Sequence, residues 1–260
     1  MKADLVVQAC FAGPLVGYLE LFLRQGDAVY LCTSHLRQIK SEPAPAGPYV
    51  EHFHAGFDDQ FRGKVWLGIT SATEDGPVVE YERCALVRGR GPGQPGHADA
   101  IPGPSDPTPI DDLVHRVPNW DLSGLITTEW TAGETRSDPL RDHIDMAAPL
   151  ARLTFNQAAV HRDTTTTADG RRLVYGGHVQ GLAQASLTRL LPGLATIQGW
   201  DGCDHIGPAF EGDLIEFRHR LVEAVPAGTG RLMRFEVTGT KLTDGDPVDI
   251  LRWTPIVWGV

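Results

Sequence analysis

The sequence predicts an α+β fold in which an antiparallel sheet curls round one buried helix. Three observations carry this. Residues 178–191 repeat apolar side chains at helical spacing, with Val179, Leu182, Ala183, Ser186 and Leu190 on one face. Pro192-Gly193 then stops the helix. Four β-rich runs follow at 194–199, 213–225, 231–242 and 248–258, and Asp244-Gly245 supplies a hairpin turn between the last two. A central helix followed by several strands packs as a helix cradled by a sheet.

The elements before this helix are less regular. An apolar stretch from Leu5 to Leu19 opens the chain. Asp4 precedes it, Gly13-Pro14 interrupts it and Glu20 closes it, so it lacks the form of a secretory leader. It is also too short for a membrane-spanning helix. Residues 27–33 follow as a β-type run, and the Pro-rich 41–48 reads as a loop. Residues 64–70 and 77–87 read as strands, with Val65, Leu67 and Ile69 alternating with Trp66, Gly68 and Thr70. Gly76 suits the turn between them. His52 and His54 are two apart and could flank a ligand, but two exposed or satisfied histidines account for them better. A boundary comes next: residues 89–110 hold five Gly and six Pro, the composition of a linker. The chain therefore divides into 1–88, a linker at 89–110 and a domain at 111–260. In the last of these, 121–131 is irregular and 141–160 carries a moderately apolar helical pattern.

Composition narrows the function. The 260 residues are 42% hydrophobic and 22% charged, which is ordinary globular composition. The net charge of −10 opposes a nucleic-acid surface, which needs clustered Lys and Arg. The four cysteines, at 10, 32, 84 and 203, form no CxxC pair and no disulfide framework. They read as reduced thiols of a soluble cytoplasmic protein. No HExxH motif or Cys/His spacing points to a metal, although His161 and Asp163 with His178 or His205 could offer ligands for one. No GxSxG elbow points to a serine hydrolase, and the glycine-rich 89–93 lacks a following GK[ST], so it is no phosphate loop.

The informative stretch is 153–182, LTFNQAAVHRDTTTTADGRRLVYGGHVQGL. Asn156 stands five positions before His161, and Val174-Tyr175-Gly176-Gly177 is an apolar run ending in Gly where the helix opens. Downstream, Gly207-Pro208-Ala209-Phe210-Glu211-Gly212-Asp213 leads into a long strand. In these features the sequence resembles the MaoC-like hydratase/dehydratase family, which has the hot-dog fold. The resemblance covers about 130 residues, from Leu122 to Trp258, as several short matches in order. Phe61-Arg62-Gly63-Lys64 and the two β runs after it echo Phe210-Glu211-Gly212-Asp213 and its strands. The expectation is a double hot-dog with a degenerate N-terminal half, which lacks the helix-opening Gly and the Asn-to-His pair.

The resemblance implies addition of water to an enoyl thioester, or its loss from a 3-hydroxyacyl thioester. The acyl carrier, coenzyme A or a carrier protein, is then part of the substrate, with no separate cofactor. It assigns His161 as acid/base, a role that suits an imidazole, and the Gly177 amide as donor to the developing enolate oxygen. The family usually has Asp where Asn156 stands. A carboxamide cannot take a proton, but it can orient water or fix the His161 tautomer. Asn156 is equally suited to a simple Asx turn. Asp163, Asp204, His205 and Tyr175 are auxiliary candidates. Arg162, Arg171 and Arg172 could meet coenzyme A phosphates or form a solvated face. His178 and Gln180 read as packing or edge residues. Hot-dog domains pair sheet to sheet, which implies a pseudo-dimer within the chain or a homodimer. The alternatives on this fold are an acyl-thioesterase, a dedicated biosynthetic dehydratase or cyclase, and a protein that binds an acyl thioester without turnover.

Overall fold

The structure is a computed structural model. It describes residues 4–12, 16–25, 28–30, 47–57, 63–73, 76–87 and 106–260, apart from 155, 157 and 168. The chain forms two compact units, Met1–Gly103 and Pro104–Val260. Most of the Gly/Pro-rich 89–110 lies outside the described residues, as do 31–46.

Among its described residues, the first unit holds two antiparallel sheets of three strands. One is β1 (Asp4–Ala12), β2 (Val16–Gln25) and β3 (Ala28–Tyr30); the other is β4 (Gly47–Phe57), β5 (Gly63–Thr73) and β6 (Gly76–Val87). The N-terminal apolar stretch is thus a pair of strands. The β5–β6 hairpin expected from sequence is present, with Thr73 opposite Gly76, so Gly76 begins the strand rather than centring the turn.

The second unit is a single sheet with a helix on one face. β7 (Thr135–Ser137) and β8 (Asp142–His143) both pair with β10 (Leu214–Ala227). β10 pairs with β11 (Gly230–Leu242), β11 with β12 (Val248–Gly259), and β12 with β9 (Leu194–His205), all antiparallel. The helices are α1 (Ala147–Leu153) and α2 (Gly176–Leu190). Among the described residues, no helix is long and apolar enough to cross a membrane.

Strand alternation decides which face each side chain takes. Ile215, Phe217 and Leu221 of β10, Met233, Phe235 and Val237 of β11, and Trp253 and Val257 of β12 meet Val179, Ala183 and Leu187 of α2 in the main core. The opposite face is also covered. Leu232, Ile256 and Trp258 bury themselves against Ile110, Leu113 and Leu122 of the segment leading into the domain. The Trp258 indole donates to the Ala227 carbonyl at 2.8 Å, which satisfies its polar atom there.

Three sequence expectations need correction. The helical pattern at 141–160 is not one helix. It becomes β8, the seven-residue α1, a loop and a 3-10 turn at Ala159–His161. Local side chains divert it: the Thr154 hydroxyl donates to the Leu150 carbonyl, and the Asn156 side-chain carbonyl accepts the Ala158 N–H while its backbone N–H returns to the Ala151 carbonyl. The run at 194–199 extends to His205. Register shifts opposite Trp253, Ile256 and Trp258 break the period of two, so the polar residues 201–205 did not read as strand. Finally, Leu187 is fully buried and belongs to the helix stripe.

Candidate active site

The chain reaches His161 through a sequence of local bonds. After α1, the Asn156 side-chain carbonyl accepts the Ala158 N–H at 2.9 Å, an Asx turn that redirects the backbone. The 3-10 turn then sets His161 half-buried beside the strand-like segment that leads into α2. There the His161 Nδ1 lies 2.9 Å from the Leu173 carbonyl oxygen. A carbonyl only accepts, so Nδ1 carries the proton and Nε2 is the basic nitrogen of the neutral ring.

The same segment delivers the helix. Leu173 bridges to Phe210, and the Val174 N–H donates to Ala209 at 2.8 Å. This holds Tyr175 buried, extended and at the N-cap of α2. Its ring and that of His161 are 6.2 Å apart at 61°. Tyr175 gives α2 no side-chain cap, and the first turn carries no acidic residue. The opening amides of Gly176 and Gly177 therefore present the positive end of the helix dipole. A Cβ at Gly176 would fall 2.4 Å from the His205 Nε2, so only glycine lets that ring lie against the helix start.

The structure thus brings His161, Tyr175, Gly176-Gly177 and His205 to the opening of α2. The other candidates are placed elsewhere or otherwise employed. The Asn156 carbonyl oxygen, expected to hold water, is bonded within its own turn. Asp163 is exposed and accepts the Thr165 hydroxyl at 2.7 Å and amide at 2.9 Å. These bonds, the hydroxyl first, hold its carboxyl below the usual range and occupy it as a cap of the next turn. Asp204 precedes His205 in β9 and so projects to the opposite face. Among the described residues no group of three His, Cys, Asp or Glu side chains comes together as a metal site would.

Two of the three arginines considered for phosphate, Arg171 and Arg172, have acidic partners. Arg171 meets Asp213 at 2.9 Å and lies over the Phe210 ring. Arg172 meets Glu211 at 2.8 Å and also donates to the Arg162 carbonyl. These contacts tie the loop after His161 to the turn before β10.

Sequence reading missed a buried polar chain behind the site. Ser186 Oγ lies 2.8 Å from His219 Nε2 and also bonds Asp138, which Arg189 grips together with Asp142. A carboxylate accepts only, so the Ser186 hydroxyl donates to Asp138 and accepts from His219 Nε2–H. Burial pushes His219 down to about 4, more than Asp138 raises it. The available signal was a histidine in the inward series Ile215, Phe217, His219, Leu221. His178, read as a packing residue, is buried on the first turn of α2, and its Nδ1, like that of His219, meets no partner. Burial lowers its pKa, against the raising effect of Asp145.

A helix wrapped by an antiparallel sheet, with a histidine beside the helix opening, is the hot-dog arrangement, and comparison with known proteins agrees. A Mycobacterium tuberculosis protein described as having a double hot-dog fold superposes with a TM-score of 0.63 at 28% identity, covering 82% of this chain and 68% of that one. A Chloroflexus aurantiacus protein described as a MaoC domain dehydratase superposes with a TM-score of 0.65 at 22% identity, over the same shares. Both cover more of the chain than the second unit alone contains, so the fold is a double hot-dog.

The chain resembles MaoC-like proteins in sequence as well. It is 31% identical over 187 residues to mesaconyl-CoA hydratase of Cereibacter sphaeroides, covering 65% of this chain and 54% of that protein. It is 30% identical over 161 residues to β-methylmalyl-CoA dehydratase of Chloroflexus aurantiacus, covering 54% and 44%. The chain spans about half the length of the curated relatives it matches. No protein-family model matches it.

Proposed function

We propose that the protein is a hydro-lyase that adds water to an enoyl thioester of coenzyme A, or removes it from the 3-hydroxyacyl thioester. The observation that carries this reading is the bond from His161 to the Leu173 carbonyl, which leaves Nε2 as a base beside the α2 opening. The curated relatives, a CoA-thioester hydratase and a dehydratase, support the reaction class.

In the hydration direction, His161 Nε2 takes a proton from water as the water oxygen bonds to C3. The electron pair of the C2–C3 double bond moves toward the thioester, and negative charge develops on its oxygen. The Gly177 amide and the helix dipole stabilise that charge. The imidazolium then returns its proton to C2, so a single residue serves both carbons. Asn156 supports the site by shaping the turn that carries His161, and its amide group remains a candidate for orienting water.

The test incubates the protein with short and medium trans-2-enoyl-CoA substrates and follows both enoyl absorbance and free thiol. Loss of absorbance without thiol, abolished by His161→Ala, is the expected result. Thiol release would replace the hydro-lyase with a thioesterase. Binding of acyl-CoA with no change in either signal would make the protein a binder.

A further inference from the structure

We infer that Arg172 is a positioning residue for His161. It holds the backbone of the turn that carries this histidine against the segment leading into α2, so the base is fixed at two points rather than one. The inference deepens the hydro-lyase reading and rests on it for its effect on rate.

The first observation concerns the turn itself. His161 ends a 3-10 turn of three residues, Ala159–His161. The backbone bonds around it are local. The His161 N–H donates to the Ala158 carbonyl, and the Arg162 and Asp163 N–H groups both donate to the Ala159 carbonyl. These bonds close the turn on itself. The Nδ1 contact with Leu173 reaches across to the α2 segment, but it ends on a ring that rotates about its own side-chain torsions. That contact alone would leave the backbone beneath the ring able to shift.

The second observation is a bond that fixes this backbone. The Arg172 guanidinium donates through Nη1 to the carbonyl of Arg162, the residue after His161. Through Nε it donates to the Glu211 carboxylate at 2.8 Å. The Glu211 backbone N–H donates to the Arg172 carbonyl at 3.1 Å, so the two residues are joined by main chain and side chain alike. Leu173, next in sequence, takes the His161 ring on its carbonyl and bridges to Phe210. Two adjacent residues of one segment thus hold the backbone and the ring of the same turn, and that segment runs directly into the α2 opening.

The third observation is residue type. A guanidinium is a planar fork whose donors point in fixed directions, so Nε and Nη1 can serve two acceptors at once. The Arg172 side chain is only 18% exposed, and water competes little for these donors. Its charge is already met by Glu211, so it acts through its bonds rather than as a free cation for an anionic substrate. Placement matters because an error of about 1 Å in a reacting group can cost about 10² in rate.

The experiment reads His161 first and its rate second. Imidazole nitrogen resonances are recorded by NMR, at a pH where the ring is neutral, for wild type, Arg172→Met, Arg172→Lys and Glu211→Ala. His161→Ala assigns the signal. Wild type should show the Nδ1–H tautomer. Arg172→Met keeps the stem and loses the donors, and should move the signal toward a mixture of tautomers. It should also lower kcat on a trans-2-enoyl-CoA by about 10- to 10²-fold while KM stays within about twofold. Arg172→Lys, which retains a donor, should recover much of both, and Glu211→Ala should fall between Arg172→Met and wild type. A wild-type tautomer and kcat in folded Arg172→Met would overturn the inference. So would a raised KM at constant kcat, which would make Arg172 a substrate contact. If Arg172→Met does not fold, a wild-type tautomer and kcat in Glu211→Ala would overturn it instead. If wild type turns over no thioester, the hydro-lyase reading fails separately, and the tautomer alone decides on Arg172.

Discussion

His161 shows how one bond turns a common residue into a candidate base. Its Nδ1 lies 2.9 Å from the Leu173 carbonyl oxygen, 12 residues later in the chain, and an acceptor there places the proton on Nδ1. His161→Ala should lower hydration by about 10² to 10⁴, the usual worth of a positioned acid/base. Steady-state assay of the folded variant checks this. Asn156 yields a different prediction, because its carbonyl closes the turn to Ala158. Asn156→Asp keeps that acceptor and should retain hydration. Asn156→Ala removes it and should lower kcat through misplacement of His161. Equal kcat in Asn156→Ala and wild type would show that the turn does not position the base.

At the scale of elements, α2 is held at both ends by different means. Its opening is set by the Leu173–Tyr175 segment and the glycines. Its second half is keyed to β10 and to the loop before β8 through Ser186, His219, Asp138 and Arg189. Ser186→Ala should destabilise the domain by about 1–3 kcal/mol, because it strands the buried His219 Nε2–H. A shift in urea midpoint without a change in slope would measure this. The same chain makes stability depend on pH. His219 titrates at about 4 in the fold, against an ordinary value of 6.5. Between these values the unfolded chain binds more protons, so this contribution is complete above pH 6.5 and is lost as pH falls toward 4. His219→Phe should flatten the stability profile over that window. A variant as acid-sensitive as wild type would assign the loss to other groups.

Over the whole second unit, the sheet works because both faces are buried. α2 covers one face, and the segment from Ile110 to Leu122 covers the other. Arg234, buried on the outer side, joins the layers by meeting Asp201 of β9 at 2.7 Å, Glu223 of β10 and the Thr108 carbonyl. Trp258 is the largest side chain fully buried on that face. Trp258→Ala should cost about 3–5 kcal/mol, the range for emptying an aromatic site in a core. Chemical denaturation would report it. A cost below 1 kcal/mol would mean that the outer layer contributes little to stability.

Much of this was legible in the sequence, because periodicity is local. The α2 stripe from Val179 to Leu190, the alternation of β10 to β12 and the glycine pair at the helix opening all lie within a few residues of one another. Their solvent-facing and core-facing positions follow from 3.6- and 2-residue repeats alone. The failures were places where side chains compete with the backbone or where the period slips. Thr154 and Asn156 broke an apparent helix, and bulges hid the end of β9. Only the tertiary structure decided the tautomer of His161, the ring of His205 against Gly176 and the bond between Ser186 and His219, which are 33 residues apart. Each depends on the register between distant segments. Register is set by the packing of the whole core, and no local pattern encodes it.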